Sequence, residues 1–264
     1  FQTRWLARYT MAKPPSPTTD SIAYAVAERT QQMGAEILLT ALPRDRHLTQ
    51  AAAANLPRSA EIIDVDVTRP DDLAELTDHV RHTWGGLDGA LHAVAFAPRD
   101  ALSGDFLTAS ADGVNLAFQT SAFSYASLAR VLADLTPESG GALVGLDFDA
   151  AGAWPVYNWM GVCKAALESV NRYVARDLGP RHIRANLIAA GPIHTRAAGG
   201  IAGFDQLLDA WEARAPMPWD PRDPGPVADA ACFLLSDLAR AVTGEILHVD
   251  AGYHAMAAAL RSGT

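Results

Sequence analysis

The sequence predicts an α/β fold, a single doubly wound parallel sheet with helices on both faces. Three observations carry this reading. From residue 21 onward, short apolar runs fit for buried strands alternate with longer stretches of helical periodicity. Neither a low-complexity linker nor a repeat interrupts the alternation. The 264 residues, 49% of them hydrophobic, suffice for one large core without disulfides or metals. Strand and helix in alternation build right-handed βαβ units, hence parallel strands.

The segment 1–20, FQTRWLARYTMAKPPSPTTD, fits this pattern badly, because Arg4 and Arg8 suit a central buried strand poorly. Residues 21–33 (SIAYAVAERTQQM) carry apolar side chains at helical spacing and run into Gly34, a helix stop. The apolar run 35–40 follows as a buried strand. Further strands are expected at 62–67, 89–96, 142–147, 183–189 and 245–249, with helices at 70–84, 112–135, 157–178 and 226–238 between them. Pro70 followed by Asp71, Asp72 and Glu75 suits a first helical turn, where a missing N–H is harmless and acids meet the positive end of the dipole. In such a sheet ligands bind beyond the carboxyl ends of the strands, so the residues closing each strand are the informative ones.

Composition removes several classes of function. Asp plus Glu number 30 against 21 Lys plus Arg, a net charge of −9, and the basic residues form no run; a nucleic-acid partner is not expected. Cys163 and Cys232 make no CxxC and no Cys/His cluster, so neither a disulfide framework nor a zinc site is expected, and the compartment should be reducing. His82, His92, His182 and His254 lack ligand spacing, which leaves no metal site to expect. No run reaches the roughly 18 apolar residues of a membrane span. Residues 1–20 lack the apolar segment of a secretory signal, so the cytoplasm is the expected address.

The sharpest signal is Tyr157-Asn-Trp-Met-Gly-Val-Cys-Lys164. This spacing is close to two helical turns, so the phenol and the ammonium share one face. There a phenol can donate a proton or hydrogen bond to a substrate oxygen, while an ammonium favours phenolate and can bond a cofactor ribose. Such a pair also arises by chance, and its setting is what separates the readings. A strand ending Gly145-Leu-Asp-Phe-Asp149 and a small-residue loop at 150–155 precede it. Ala189-Ala-Gly-Pro-Ile-His-Thr195 closes the next strand with backbone groups and a Thr hydroxyl. Together the two segments describe a cleft.

These segments resemble the short-chain dehydrogenase/reductase superfamily and, within it, the NADH-dependent enoyl-acyl-carrier-protein reductases of the mycobacterial InhA type. The resemblance is carried by LDFD (146–149), YNWMGVCKAALESVNRYVAR (157–176), RANLIAAGPIHT (184–195), WEARAPMPW (211–219), LLSD (234–237) and TGEILHVDAGYH (243–254). LDGALHAVAF (87–96) and SAFSYASLA (121–129) are also alike. It implies one Rossmann-type reductase domain over 21–264, with a helical substrate loop at 196–219.

The implied reaction is hydride transfer from NADH to the β-carbon of a 2-enoyl thioester borne by acyl carrier protein, in type II fatty-acid or mycolic-acid synthesis. Tyr157 would meet the developing enolate oxygen, a donor aimed at charge that exists mainly in the transition state. Lys164 would hold the nicotinamide ribose, and Phe148 would border nicotinamide and substrate. Ser21 and Ile22, opening the first helix, would meet phosphate. Leu42 stands where the family stacks an aromatic on adenine, which Asp66 and Val67 would also meet. Val94, Ala95 and Phe96 would lie against the cofactor, and Ile193 and Thr195 would contact nicotinamide and pyrophosphate. Phe204, Leu207 and Trp211, at helical spacing, wall an acyl pocket or belong to the core. A homo-oligomer is implied too, a tetramer pairing through helices at 157–176 and 121–135.

The chain also departs from the family. Pro15 falls where the family has a glycine in its phosphate loop; proline has no N–H to donate and a fixed φ. Either the first strand and its loop are rebuilt, or residues 1–17 are foreign to the fold. A second reading follows from this, a non-catalytic homologue that has lost its cofactor and binds acyl groups or subunits. A third, a carbonyl reductase, is opposed by Asp147 and Phe148, which stand where such enzymes carry a Ser. Leu42-Pro43 offers no acid to the adenine ribose and Arg44 leaves room for a 2′-phosphate, so NADPH stands open beside NADH. The stretch from Thr195 to Trp219 is shorter than the family's, which puts a long-chain acyl preference in doubt.

Overall fold

In the computed structural model the described residues are 4–8, 21–195, 198–201 and 203–259, with backbone alone for 4–8 and 200. Among the described residues seven strands form one parallel sheet: β1 (Arg4–Arg8), β2 (Glu36–Ala41), β3 (Glu61–Asp64), β4 (Gly89–His92), β5 (Gly141–Asp147), β6 (Ile183–Ala190) and β7 (Ile246–Val249). Their order across the sheet is β3-β2-β1-β4-β5-β6-β7. The winding reverses between β1 and β4, and the crevice beyond their carboxyl ends is where a doubly wound sheet binds its ligand.

The helices are α1 (Ile22–Gln32), α2 (Arg46–Ala53), α3 (Pro70–Thr83), α4 (Arg99–Leu102), α5 (Ala111–Phe118), α6 (Ser124–Leu135), α7 (Asn158–Leu178), α8 (Phe204–Arg214) and α9 (Gly225–Leu235). Strand residues alternate between two cores, as a period of two demands. Ile37, Leu39, Leu91, Val144 and Ile188 face α1 and α9. Leu38, Ala90, Leu143 and Leu187 face α3, α6 and α7. Strands buried on both faces explain why the sequence reads as unbroken apolar runs.

Four expectations need correction. The backbone of 4–8 is a central strand after all, paired in parallel with β2 (Leu6 beside Leu38) and with β4 (Leu6 beside Ala90). Pro15 and the rest of 9–20 lie outside the described residues, as do 196, 197 and 202 of the substrate loop. The strands expected at 62–67 and 89–96 end earlier, at Asp64 and His92, because the ladder stops while apolar residues continue as the walls of the cleft. The single helix expected over 112–135 is α5 and α6 joined by a π-helical turn, Gln119–Phe123.

Candidate active site

Strand β5 delivers Leu146, Asp147 and Phe148 to the carboxyl edge, and α7 faces them. Tyr157 caps α7, and Asn158 after it adopts φ 37°, a left-handed conformation that Asn tolerates better than most side chains. The Asn158 amide holds this turn by donating to the Gly104 carbonyl at 3.0 Å. The turn lays the Tyr157 ring against Phe148, centroids 5.0 Å apart. Two helical turns on, Lys164 Nζ donates to the Leu146 carbonyl at 2.8 Å and lies 4.0 Å from Asp147 Oδ1. Phenol and ammonium thus converge on the same strand end.

Asp147, to which the sequence assigned no role of its own, closes that strand. It is buried, and neither carboxyl oxygen is within full hydrogen-bonding geometry of a donor among the described residues. Burial raises its carboxyl to about 7 against the pull of the Lys164 ammonium. Lys164 is buried as well, and desolvation lowers its ammonium although Asp147 opposes the shift. The phenol of Tyr157 is shifted as well. Burial first, then the charges of Asp147 and Cys163, hold the phenol above its ordinary range, so it is a neutral donor. Its hydroxyl has no hydrogen-bond partner among the described residues.

The other expected residues line the same edge in strand order. Ser21 is the N-cap of α1, its hydroxyl accepting from Tyr24 N–H at 3.4 Å, and Ile22 opens the helix. Leu42, half-buried, closes β2. Asp66 lies beyond β3, not in it, and its carboxylate accepts from the Thr68 N–H at 2.9 Å and the Thr68 hydroxyl at 2.7 Å; beside it Val67 is buried. Asp66 is thus partly committed to a local turn. After β4, Val94 is buried while Ala95 and Phe96 are exposed. The buried Ser121 hydroxyl in the π-turn grips Phe96, accepting from its N–H at 2.9 Å and donating to its carbonyl at 3.0 Å. Nothing in the sequence separated Ser121 from an ordinary helical serine. After β6, Ile193 is buried and Thr195 Oγ1 accepts from Ala198 N–H at 3.1 Å.

On the flank beyond Phe148 lies α8. Leu207 and Trp211 are buried there and Phe204 is half-buried, its ring 5.4 Å from His194. Trp154 and Tyr253, which the sequence reading did not single out, complete an aromatic cluster with Phe148 and Trp211. Gly191, closing β6, makes this packing possible: a Cβ there would lie 2.8 Å from Trp219 Cε2 and 2.9 Å from Trp211 Nε1.

The described residues suit a dinucleotide at its nicotinamide end. Lys164 has three N–H donors and spends one on Leu146, and buried Val94 and Ile193 offer apolar walls. Among the described residues no group of three His, Cys, Asp or Glu could hold a metal ion, and no helix is long and apolar enough to cross a membrane.

Sheet order, crevice and the Tyr157–Lys164 pair define a short-chain dehydrogenase/reductase. A family model described as enoyl-(acyl carrier protein) reductase matches residues 18–254, and the chain belongs to this family. The enoyl-[acyl-carrier-protein] reductase [NADH] of Mycolicibacterium smegmatis is 40% identical over 250 residues, covering 89% of this chain and 92% of the relative. That of Mycobacterium avium is 42% identical over 248 residues, with the same coverage, 89% and 92%. The NADPH-linked counterpart from Staphylococcus aureus is 37% identical over 238 residues, covering 89% and 93%.

Proposed function

We propose that the chain is an enoyl-acyl-carrier-protein reductase of type II fatty-acid or mycolic-acid synthesis, using NADH to saturate the 2,3 double bond of an enoyl thioester. The observation that carries the reading is the convergence of Tyr157 and Lys164 on the end of β5. The cofactor supplies a hydride to the β-carbon, and the protein supplies orientation and electrostatics. Tyr157, kept protonated by burial, donates to the thioester oxygen as enolate charge builds there. Lys164 turns its two remaining donors to the nicotinamide ribose. Phe148, Val94 and Ile193 border the ring, Ser21 and Ile22 meet the pyrophosphate, and Leu42 with Asp66 and Val67 border the adenine. Arg44, exposed and only 3.5 Å from Asp45, is the group that would receive a 2′-phosphate, and relatives of both cofactor preferences exist.

The same reading makes 21–264 one reductase domain, with 1–20 an atypical N-terminal segment. It makes the protein a cytoplasmic homotetramer. Exposed Phe106, Leu107, Phe123, Val162 and Tyr173, on or beside α5–α7, support association.

The test is a fluorescence titration with NADH and with NADPH, then a crotonyl-thioester assay on the wild type, Tyr157→Phe and Lys164→Ala. Saturable NADH binding with turnover lost in both variants is expected. A folded protein that binds neither cofactor would instead favour the non-catalytic homologue, with Pro15 as the reason.

A further inference from the structure

Resting on the enoyl-reductase reading, we infer that Trp154 and Trp211 close the acyl end of the site and restrict the enzyme to short enoyl groups. On that reading the acyl chain, its thioester oxygen at Tyr157, leaves on the side of Phe148, between α8 and the loop 150–157 that precedes Tyr157. That space is filled by rings. Trp154 lies 4.9 Å from Phe148 and 5.4 Å from Trp211, stacked on the latter at 27°. Trp211 in turn stacks on Tyr253 at 3.9 Å and 9°. Trp211 is 3% exposed, Tyr253 7% and Phe148 8%, so the rings leave little of one another open to solvent.

The rings are also tethered. Trp154 Nε1 donates to the Asp149 carbonyl at 2.6 Å, and Trp211 Nε1 to the Asp250 carbonyl at 3.0 Å. Arg214 lies 4.4 Å over the Tyr253 ring and donates to the Met256 carbonyl at 2.6 Å. Swinging either indole aside therefore breaks a hydrogen bond and a ring stack together. Interiors packed this way exclude added methylenes instead of yielding to them. The crotonyl group, whose reacting carbons lie beside the thioester, needs no space beyond Phe148.

The experiment is kcat/KM for crotonyl, octenoyl and hexadecenoyl thioesters in the wild type, Trp154→Ala and Trp154→Phe. Half-buried Trp154 sits on a loop, and the ratio between substrates is insensitive to the fraction of folded enzyme. In the wild type kcat/KM should fall at least about tenfold from crotonyl to hexadecenoyl. Trp154→Ala should recover most of that loss, and Trp154→Phe little. A flat or rising wild-type profile overturns the inference, as does a profile that Trp154→Ala leaves unchanged. Failure to reduce any enoyl thioester would instead sink the underlying reading. Quenching of tryptophan fluorescence by saturated acyl thioesters of the same lengths would then still test the wall, and tight binding of the longest would overturn it.

Discussion

At Tyr157 the difference between a phenol and a phenyl ring is one donated hydrogen bond. Tyr157→Phe keeps the contact with Phe148 and removes only the donor. Turnover of an enoyl thioester should fall about 10²- to 10³-fold, the usual cost of losing one oxyanion donor, with NADH affinity kept. Unchanged kcat would remove Tyr157 from the chemistry. Asp147 makes a different prediction. Its folded value, about 7, stands above the ordinary 3.8, so the native state holds a proton that the unfolded chain releases. Its contribution to stability is therefore lost as pH rises between those values. Denaturant unfolding of the wild type and Asp147→Asn across this range should show the wild type losing stability relative to the variant. Parallel curves would mean the carboxyl is not shifted. The Tyr157–Lys164 pair could be read from its spacing together with the strand ends that flank it, because a helix places residues by number. The buried carboxyl of Asp147 could not, because its burial depends on how β5 and α7 pack.

The elements were legible to the extent that their patterns are local. Residues 22–32, 141–147 and 158–178 follow the sequence periodicity closely. The ends of β3 and β4 did not, since Val65, Val67 and Val94 stay buried after the ladder stops. The π-turn was equally hidden: one extra residue shifts the helical phase without any change in composition. That turn aims Ser121 at Phe96, and Ser121→Ala removes both of its hydrogen bonds to that backbone. At about 1 kcal/mol each, about 2 kcal/mol together, their loss should weaken NADH binding by up to about 30-fold in a titration and lower the melting temperature by several degrees. Wild-type affinity would show that the loop 93–98 stands without the clamp. Gly191 tests α8 in the same way. Gly191→Ala drives a methyl into two indoles, and overpacking of this kind costs about 1–3 kcal/mol. A lowered melting temperature with altered tryptophan emission is expected, and an unchanged spectrum would mean that the indoles do not rest on this glycine.

Across the whole molecule, the sheet hinges on β1. Its charged ends disguised it in the sequence, yet its neighbours supply a ladder on each side that local patterning cannot show. Leu6→Pro removes an N–H from this central strand, where proline is not tolerated. It should abolish cooperative unfolding as followed by circular dichroism. A cooperative transition like the wild type's would place the strand outside the folding unit.

The position of β1 also orders events in time. During synthesis β1 can pair as soon as Glu36–Ala41 has left the ribosome, but its second partner, Gly89–His92, emerges much later. Through that interval the nascent chain carries an open strand edge, the template on which another growing copy can assemble wrongly. The strand that locks the finished sheet is thus the one that leaves the newborn chain most dependent on slow synthesis or a chaperone.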